Sequence, residues 1–194
     1  AALLPDSKGS VTPTPTLPRR IKAMLALAPA SLPAPGATAG RVFPATGKRL
    51  GRVALLQGCA QQVLAPRINE AAIRLLTRHG VEVVLVADEQ CCGALTHHLG
   101  DDRDALARAR ANIRAWTREA EQGGLDAILV TTSGCGTVIK DYGYLLREDR
   151  DFAGPAAKIS GLAKDITEYV ASLDLPPPPS PNQLVIAYHS ACSL

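Results

Sequence analysis

From Arg52 onward the chain alternates between two textures. Unbroken apolar runs of strand length occur in "RVALLQGC", "VEVVLVADEQCC", "LDAILVTTSGC" and "NQLVIAYHSAC". Between them, apolar residues return every three or four positions, the spacing of one helix face. "PRINEAAIRLLTRHG" opens on Pro66, places Ile68, Ala72, Leu75 and Leu76 on one side and stops at Gly80. "DRDALARARANIRAWTREAEQGG" carries Leu106, Ala109, Ile113, Trp116 and Ala120 in the same way. "TVIKDYGYLLRE" predicts a short helix. "GPAAKISGLAKDITEYVASL" predicts a longer one with Ile159, Leu162, Ile166 and Tyr169 on its stripe. The order is strand, helix, strand, helix, strand, helices, strand. Continuously apolar strands alternating with amphipathic helices predict an α/β fold: a parallel sheet with helices on both faces, built from Rossmann-like βαβ units.

The first fifty residues differ. They hold eight of the fifteen prolines, and "VTPTPTLP" and "SLPAPGATAG" exclude long helices and central strands. An extended proline-rich arm is expected over 1–50, with one helix near 18–28. The α/β domain follows over 51–180, and a further, truncated unit begins at 181–194. Both ends read as cuts in a longer protein. Net charge is +3, but the arm holds seven bases (Lys8, Arg19, Arg20, Lys22, Arg41, Lys48, Arg49) against Asp6 alone, leaving the body slightly acidic. The bases are dispersed, so the arm is expected to lie on its own body rather than to grip a partner or a membrane surface. No apolar run reaches the roughly 18 residues of a membrane helix. Aromatic content is 4%, so the core must rest on aliphatic side chains.

The five cysteines change the picture. Cys59, the neighbours Cys91 and Cys92, Cys135 and Cys192 each close one of the four apolar runs. In a parallel sheet the C-terminal strand ends share one edge, where α/β proteins bind ligands. Topology would therefore gather distant thiols on one rim. On a straight strand Cys91 and Cys92 would face opposite ways. If the strand ends near Asp88, both lie in a turn that Gly93 frees to bend. Several thiolates without partner histidines suit iron–sulfur chemistry. Zinc also accepts four sulfurs. Buried, unliganded thiols are the plainer alternative.

The residues also resemble a family. "LLQGCAQQVLAPRINEAAIRLL", "CCGALTHHLG", "ARANIRAW", "LVTTSGCGTVIKDYGYLL" and "AKDITEY" are similar to the cysteine-rich CCG domain of heterodisulfide reductases and, more finely, to iron–sulfur subunits of glycolate oxidases (glycolate dehydrogenases). The resemblance implies an oxidoreductase subunit that passes electrons from a flavin subunit, which oxidises glycolate to glyoxylate, toward a quinone. It implies a [4Fe-4S] cluster with Cys59, Cys91, Cys92 and Cys135 as metal ligands, and Cys192 as a further cofactor-binding residue from the next unit. The implied location is cytoplasmic, with peripheral attachment to the inner membrane as a further expectation. The implied partners are flavin-containing subunits, a membrane surface and quinone, with no nucleic acid. This piece alone is expected to be inactive. Two departures stand out: no ferredoxin-type run of close cysteines is present, and Cys135 stands alone in "TTSGCGT" where reductases carry CxxC. The alternatives are a thiol–disulfide redox protein and a structural zinc-binding subunit.

Smaller signals add little. His97, His98 and His189 lie near the cysteines, and His79 precedes a helix-ending glycine. "SGCGT" lacks a P-loop lysine. Asp141 and Tyr142 read as helix surface. No Ser/His/Asp or paired-carboxylate pattern suggests hydrolytic catalysis.

Overall fold

The computed structural model describes residues 17–27, 29, 31–34, 36–176, 185 and 187. Cys192, His189 and most of the segment expected as a fourth parallel strand lie outside these residues. The chain divides between Leu32 and Pro33 into two compact units. In the first, α1 (Leu17–Leu27) exposes Ile21, Met24 and Leu25 on a helix that also carries Arg19, Arg20 and Lys22. It matches the helix expected near 18–28.

The second unit is an α/β layer structure. Its elements run β1 (Arg41–Phe43), β2 (Gly51–Leu55), α2 (Gln61–Leu64), α3 (Pro66–Arg78), β3 (Val81–Leu85), α4 (Ala94–His98), α5 (Asp102–Gly123), β4 (Ala127–Val130), α6 (Ser133–Lys140), α7 (Tyr142–Leu145), α8 (Ala153–Leu162), β5 (Ala163–Asp165) and α9 (Ile166–Ala171). The sheet order is β1-β3-β2-β4-β5. β2, β3, β4 and β5 are parallel, and β1 pairs antiparallel with β3 at the edge. The sheet is therefore mixed where an all-parallel one was expected. β1 also draws residues 41–43 of the proline-rich arm into the sheet.

The strands are apolar throughout because each face meets helices. Side chains alternate across a strand. Val53, Leu55, Val83, Leu85 and Leu129 join Ala72, Ile73 and Leu76 of α3 and Tyr169 of α9 in one core. Ala54, Val84, Ile128 and Val130 join Ile113 and Trp116 of α5, Ile139 of α6 and Ile159 of α8 in the other. Each large side chain buried this way contributes on the order of 2 kcal/mol.

This layering corrects three helix expectations. On α3 the inward stripe is Pro66, Asn69, Ala72, Ile73 and Leu76, while Ile68 and Leu75 face outward. "SGCG" is the first turn of α6 rather than the end of a strand. The long helix expected through 154–173 is broken by β5. Ile159 on α8 packs against one sheet face and Tyr169 on α9 against the other, so the chain must cross the sheet edge between them. A capping box then restarts the helix: the Asp165 side chain accepts from Thr167 N at 2.8 Å, and Glu168 accepts from Asp165 N at 2.7 Å.

Candidate metal centre

Of the four strand exits at the C-terminal edge of the sheet, the three that follow β2, β3 and β4 carry cysteine. After β2 the chain turns at Gly58 (φ 71°) into Cys59, which precedes α2. After β3 it passes Asp88, itself at φ 64°, to Cys91 and Cys92, and Gly93 (φ 82°) leads into α4. A Cβ on Gly93 would lie 3.1 Å from the Ala105 carbonyl oxygen, so glycine meets both the backbone angle and the close approach of α5. After β4, Cys135 occupies the first turn of α6. The cysteines thus sit in the turns and the first helical turn beyond the strands rather than at strand ends.

The four thiols come together. The Sγ atoms of Cys59 and Cys91 are 3.5 Å apart. The Cys92 and Cys135 thiols act on one another: the interaction lowers the Cys135 pKa and, with burial second, raises that of Cys92. Burial pushes the Cys59 thiol up, and its bond with Cys91 adds to the effect. Cys59 also feels Cys92, and Cys135 feels both Cys59 and Cys91, so all four lie within electrostatic reach of one another. Cys59 is exposed, Cys91 and Cys135 are half-buried and Cys92 is buried. Arg108, ion-paired to Asp104 at 2.7 Å, stands within reach of Cys91 and Cys59.

Buried polar groups fix the turns. Glu89 accepts from Gln57 N and from Trp116 Nε1, both at 3.0 Å, tying the Cys59 connection to the Cys91 connection and to α5. Burial pushes its carboxyl up to about 7, against the pull of those two donors. Asn112, fully buried on α5, accepts from Gln90 N (2.7 Å) and donates to the Cys91 carbonyl (3.2 Å). The Tyr142 hydroxyl donates to the Cys92 carbonyl at 2.7 Å, and burial holds its pKa above the ordinary range. Gln61 bonds to Asn69, Thr131 and Thr132, and Asn69 donates to the Gln57 carbonyl, joining the Cys59 turn to the Cys135 turn.

His97 Nδ1 pairs with Asp102 at 2.7 Å beside the His98 ring; neither histidine joins the thiol group. Asp141 is exposed, but Tyr142 is fully buried, so its reading as helix surface is corrected. Asn112, Tyr142 and Glu89 are the site residues that the sequence did not disclose. The one available signal was a polar Asn112 among the apolar positions of α5.

Among the described residues no group of three or more His, Cys, Asp or Glu side chains is spaced to hold a metal ion. The donor set is nonetheless four sulfurs with no histidine or carboxylate among them, a soft set that fits an iron–sulfur cluster in chemistry and number. Comparison with known proteins agrees. Residues 53–140 match the model of the family described as "Cysteine-rich domain", CCG. The chain carries a CCG cysteine-rich domain. This CCG domain spans β2 to the end of α6, the segment that holds all four gathered cysteines. The chain is 38% identical over 180 residues to the glycolate oxidase iron–sulfur subunit of Escherichia coli (strain K12), covering 93% of this chain and 42% of that protein. It is 31% identical over 134 residues to the probable glycolate oxidase iron–sulfur subunit of Bacillus subtilis (strain 168), covering 69% of this chain and 29% of the relative. Lactate utilization protein A of Bacillus pumilus is 27% identical over 123 residues, 63% of this chain and 49% of that protein. The chain thus spans less than half the length of these relatives. No solved structure matches it. Among the described residues no helix is long and apolar enough to cross a membrane.

Proposed function

We propose that the CCG domain binds a [4Fe-4S] cluster through Cys59, Cys91, Cys92 and Cys135, as part of an electron-transfer subunit of a glycolate-oxidising complex. The observation that carries this reading is the meeting of four thiols from three separate connections at one sheet edge. Such a cluster, when bound, takes up and releases single electrons. The chain's own contribution is to hold four sulfurs in fixed turns, to keep Cys92 away from water and to place Arg108 near Cys59 and Cys91. Cys192 is assigned to the cofactor by sequence alone, as a contributor from the following unit.

The substrate follows from the names of the two glycolate oxidase relatives. A 2-hydroxy acid such as lactate fits the more distant likeness. The flavin-bearing partner and a quinone acceptor belong to the same proposal, as does a cytoplasmic position with peripheral attachment to the inner membrane. The last draws support from α1, where Arg19, Arg20 and Lys22 share a short helix with exposed Ile21, Met24 and Leu25. A second reading, thiol–disulfide chemistry, is favoured by the 3.5 Å approach of Cys59 to Cys91.

Anaerobic purification of the complete protein, with iron, zinc and acid-labile sulfide measured together and electron paramagnetic resonance recorded, separates these readings. The cluster reading expects about four iron and four sulfide per domain. Zinc without sulfide would replace it with a structural metal site. Reversible loss of two thiols in metal-free protein would replace it with disulfide chemistry.

A further inference from the structure

The carbonyls of the two adjacent cysteines are both held by buried side chains. Cys91 C=O accepts from Asn112 Nδ2 and Cys92 C=O from the Tyr142 hydroxyl. Asn112 Oδ1 also holds Gln90 N, fixing the turn from its other end. Asn112 and Tyr142 are themselves fully buried, so neither anchor can swing away without disturbing the core.

Peptide planarity gives these anchors a consequence. In a trans peptide the C=O and N–H point in opposite directions, and every peptide here is trans. Drawing the carbonyls of Cys91 and Cys92 inward therefore turns the N–H of Cys92 and the N–H of Gly93 away from Asn112 and Tyr142. Among the described residues neither amide meets a protein acceptor. The next amide, Ala94 N–H, acts on the Cys92 sulfur and pulls its pKa down, though less than Cys135 and burial raise it. Free amides in such a turn suit an anion, and hydrogen bonds to the sulfurs of an iron–sulfur cluster are one of the terms that set its potential.

We infer that Asn112 and Tyr142 are positioning residues that aim the Cys92 and Gly93 amides at the anionic centre held by the four thiolates, and thereby make that centre easier to reduce. The inference rests on the cluster reading above. Fixed N–H dipoles stabilise the more negative, reduced state over the oxidised one. Neither residue touches the cofactor; each acts through a peptide.

The test uses the complete protein, reconstituted anaerobically with iron and sulfide, and compares the wild type with Tyr142→Phe. The variant keeps the ring in the core and removes only the hydroxyl. Iron and sulfide content, the melting temperature and the midpoint potential are measured together. The expected result is unchanged iron content with a potential lowered by an amount equal to about a tenfold shift in the one-electron equilibrium, about 59 mV. An unchanged potential at equal iron content overturns the inference and leaves the cluster reading standing. Wild-type protein that takes up no iron overturns both. If Tyr142→Phe does not fold or load, Asn112→Ser, which frees the neighbouring peptide, is judged by the same criterion. Folded variants that both fail to hold iron also overturn the inference, because it claims tuning rather than retention.

Discussion

The two ends of the sheet collect side chains from distant parts of the chain, but they use them in opposite ways. At the N-terminal end, Arg52 on β2 donates to Glu82 of β3 (2.7 Å), to Glu119 of α5 (2.6 Å) and to the Gly124 carbonyl (2.8 Å), while its own amide donates to Asp126 (2.6 Å). Each of the three guanidinium nitrogens has an acceptor within the chain. At the C-terminal end the buried polar groups hold backbone, and the thiols are left facing one another with Cys59 exposed. A network that completes its own valences is a fastener. One that leaves four soft donors together beside the surface is a receptor. That contrast, more than the number of cysteines, separates a structural cluster from a functional one.

The contrast can be broken from either side. The largest effect is expected at the thiol end: Cys91→Ser or Cys135→Ser in the complete protein should lose more than tenfold in bound iron, with a melting temperature close to the wild type, by metal analysis and circular dichroism. Retained iron in both variants would remove those thiols from the ligand set. The opposite end should behave in reverse. Arg52→Ala leaves Glu119 half-buried without its cation and Glu82 with only the exposed Arg49 (3.2 Å), and should cost about 3 kcal/mol in urea unfolding, with iron content per folded molecule unchanged. A smaller effect is expected where the turn meets α5. Gly93→Ala combines a left-handed backbone angle with the 3.1 Å approach to the Ala105 carbonyl and should cost about 1–2 kcal/mol while also reducing iron loading.

The smallest effect serves as a control away from both ends. Asp149 accepts from Arg110 and from the amides of Asp151 and Phe152, and its carboxyl lies below the ordinary range, chiefly through the Arg110 bond. A depressed carboxylate contributes stability above its unfolded pKa and loses it as the pH falls through the folded value. Acid melting curves of Asp149→Asn should therefore converge with those of the wild type at low pH and separate only slightly near neutrality.

Much of this arrangement could be read from the residues alone, for identifiable reasons. β2, β3 and β4 announce themselves because strands covered on both faces are apolar without interruption. The gathering of Cys59, Cys91, Cys92 and Cys135 follows from topology, since parallel strands deliver their exits to one side. β5 could not be read, because Ile159, Leu162, Ile166 and Tyr169 keep a helical period across it. The stripe joins two helices that serve different cores, and periodicity cannot report a change of core. β1 is three residues within a proline-rich stretch, and its partner β3 lies some forty positions away in the chain. Asn112 and Tyr142 were hidden for a related reason: a lone polar group on an apolar face declares its burial, or its partner, only in three dimensions.

β1 also has a consequence for self-association. It covers the outer edge of β3, whose "VEVVL" is the kind of apolar, strand-prone run that templates pairing with another molecule. The cover is only three residues long, opens on Arg41 and is followed directly by Pro44, so it offers a newcomer almost no ladder to extend. A chain trimmed to start at β2 would keep all four gathered thiols but present that run naked, and its preparations should turn cloudy and fibrous where those that retain the short strip stay clear.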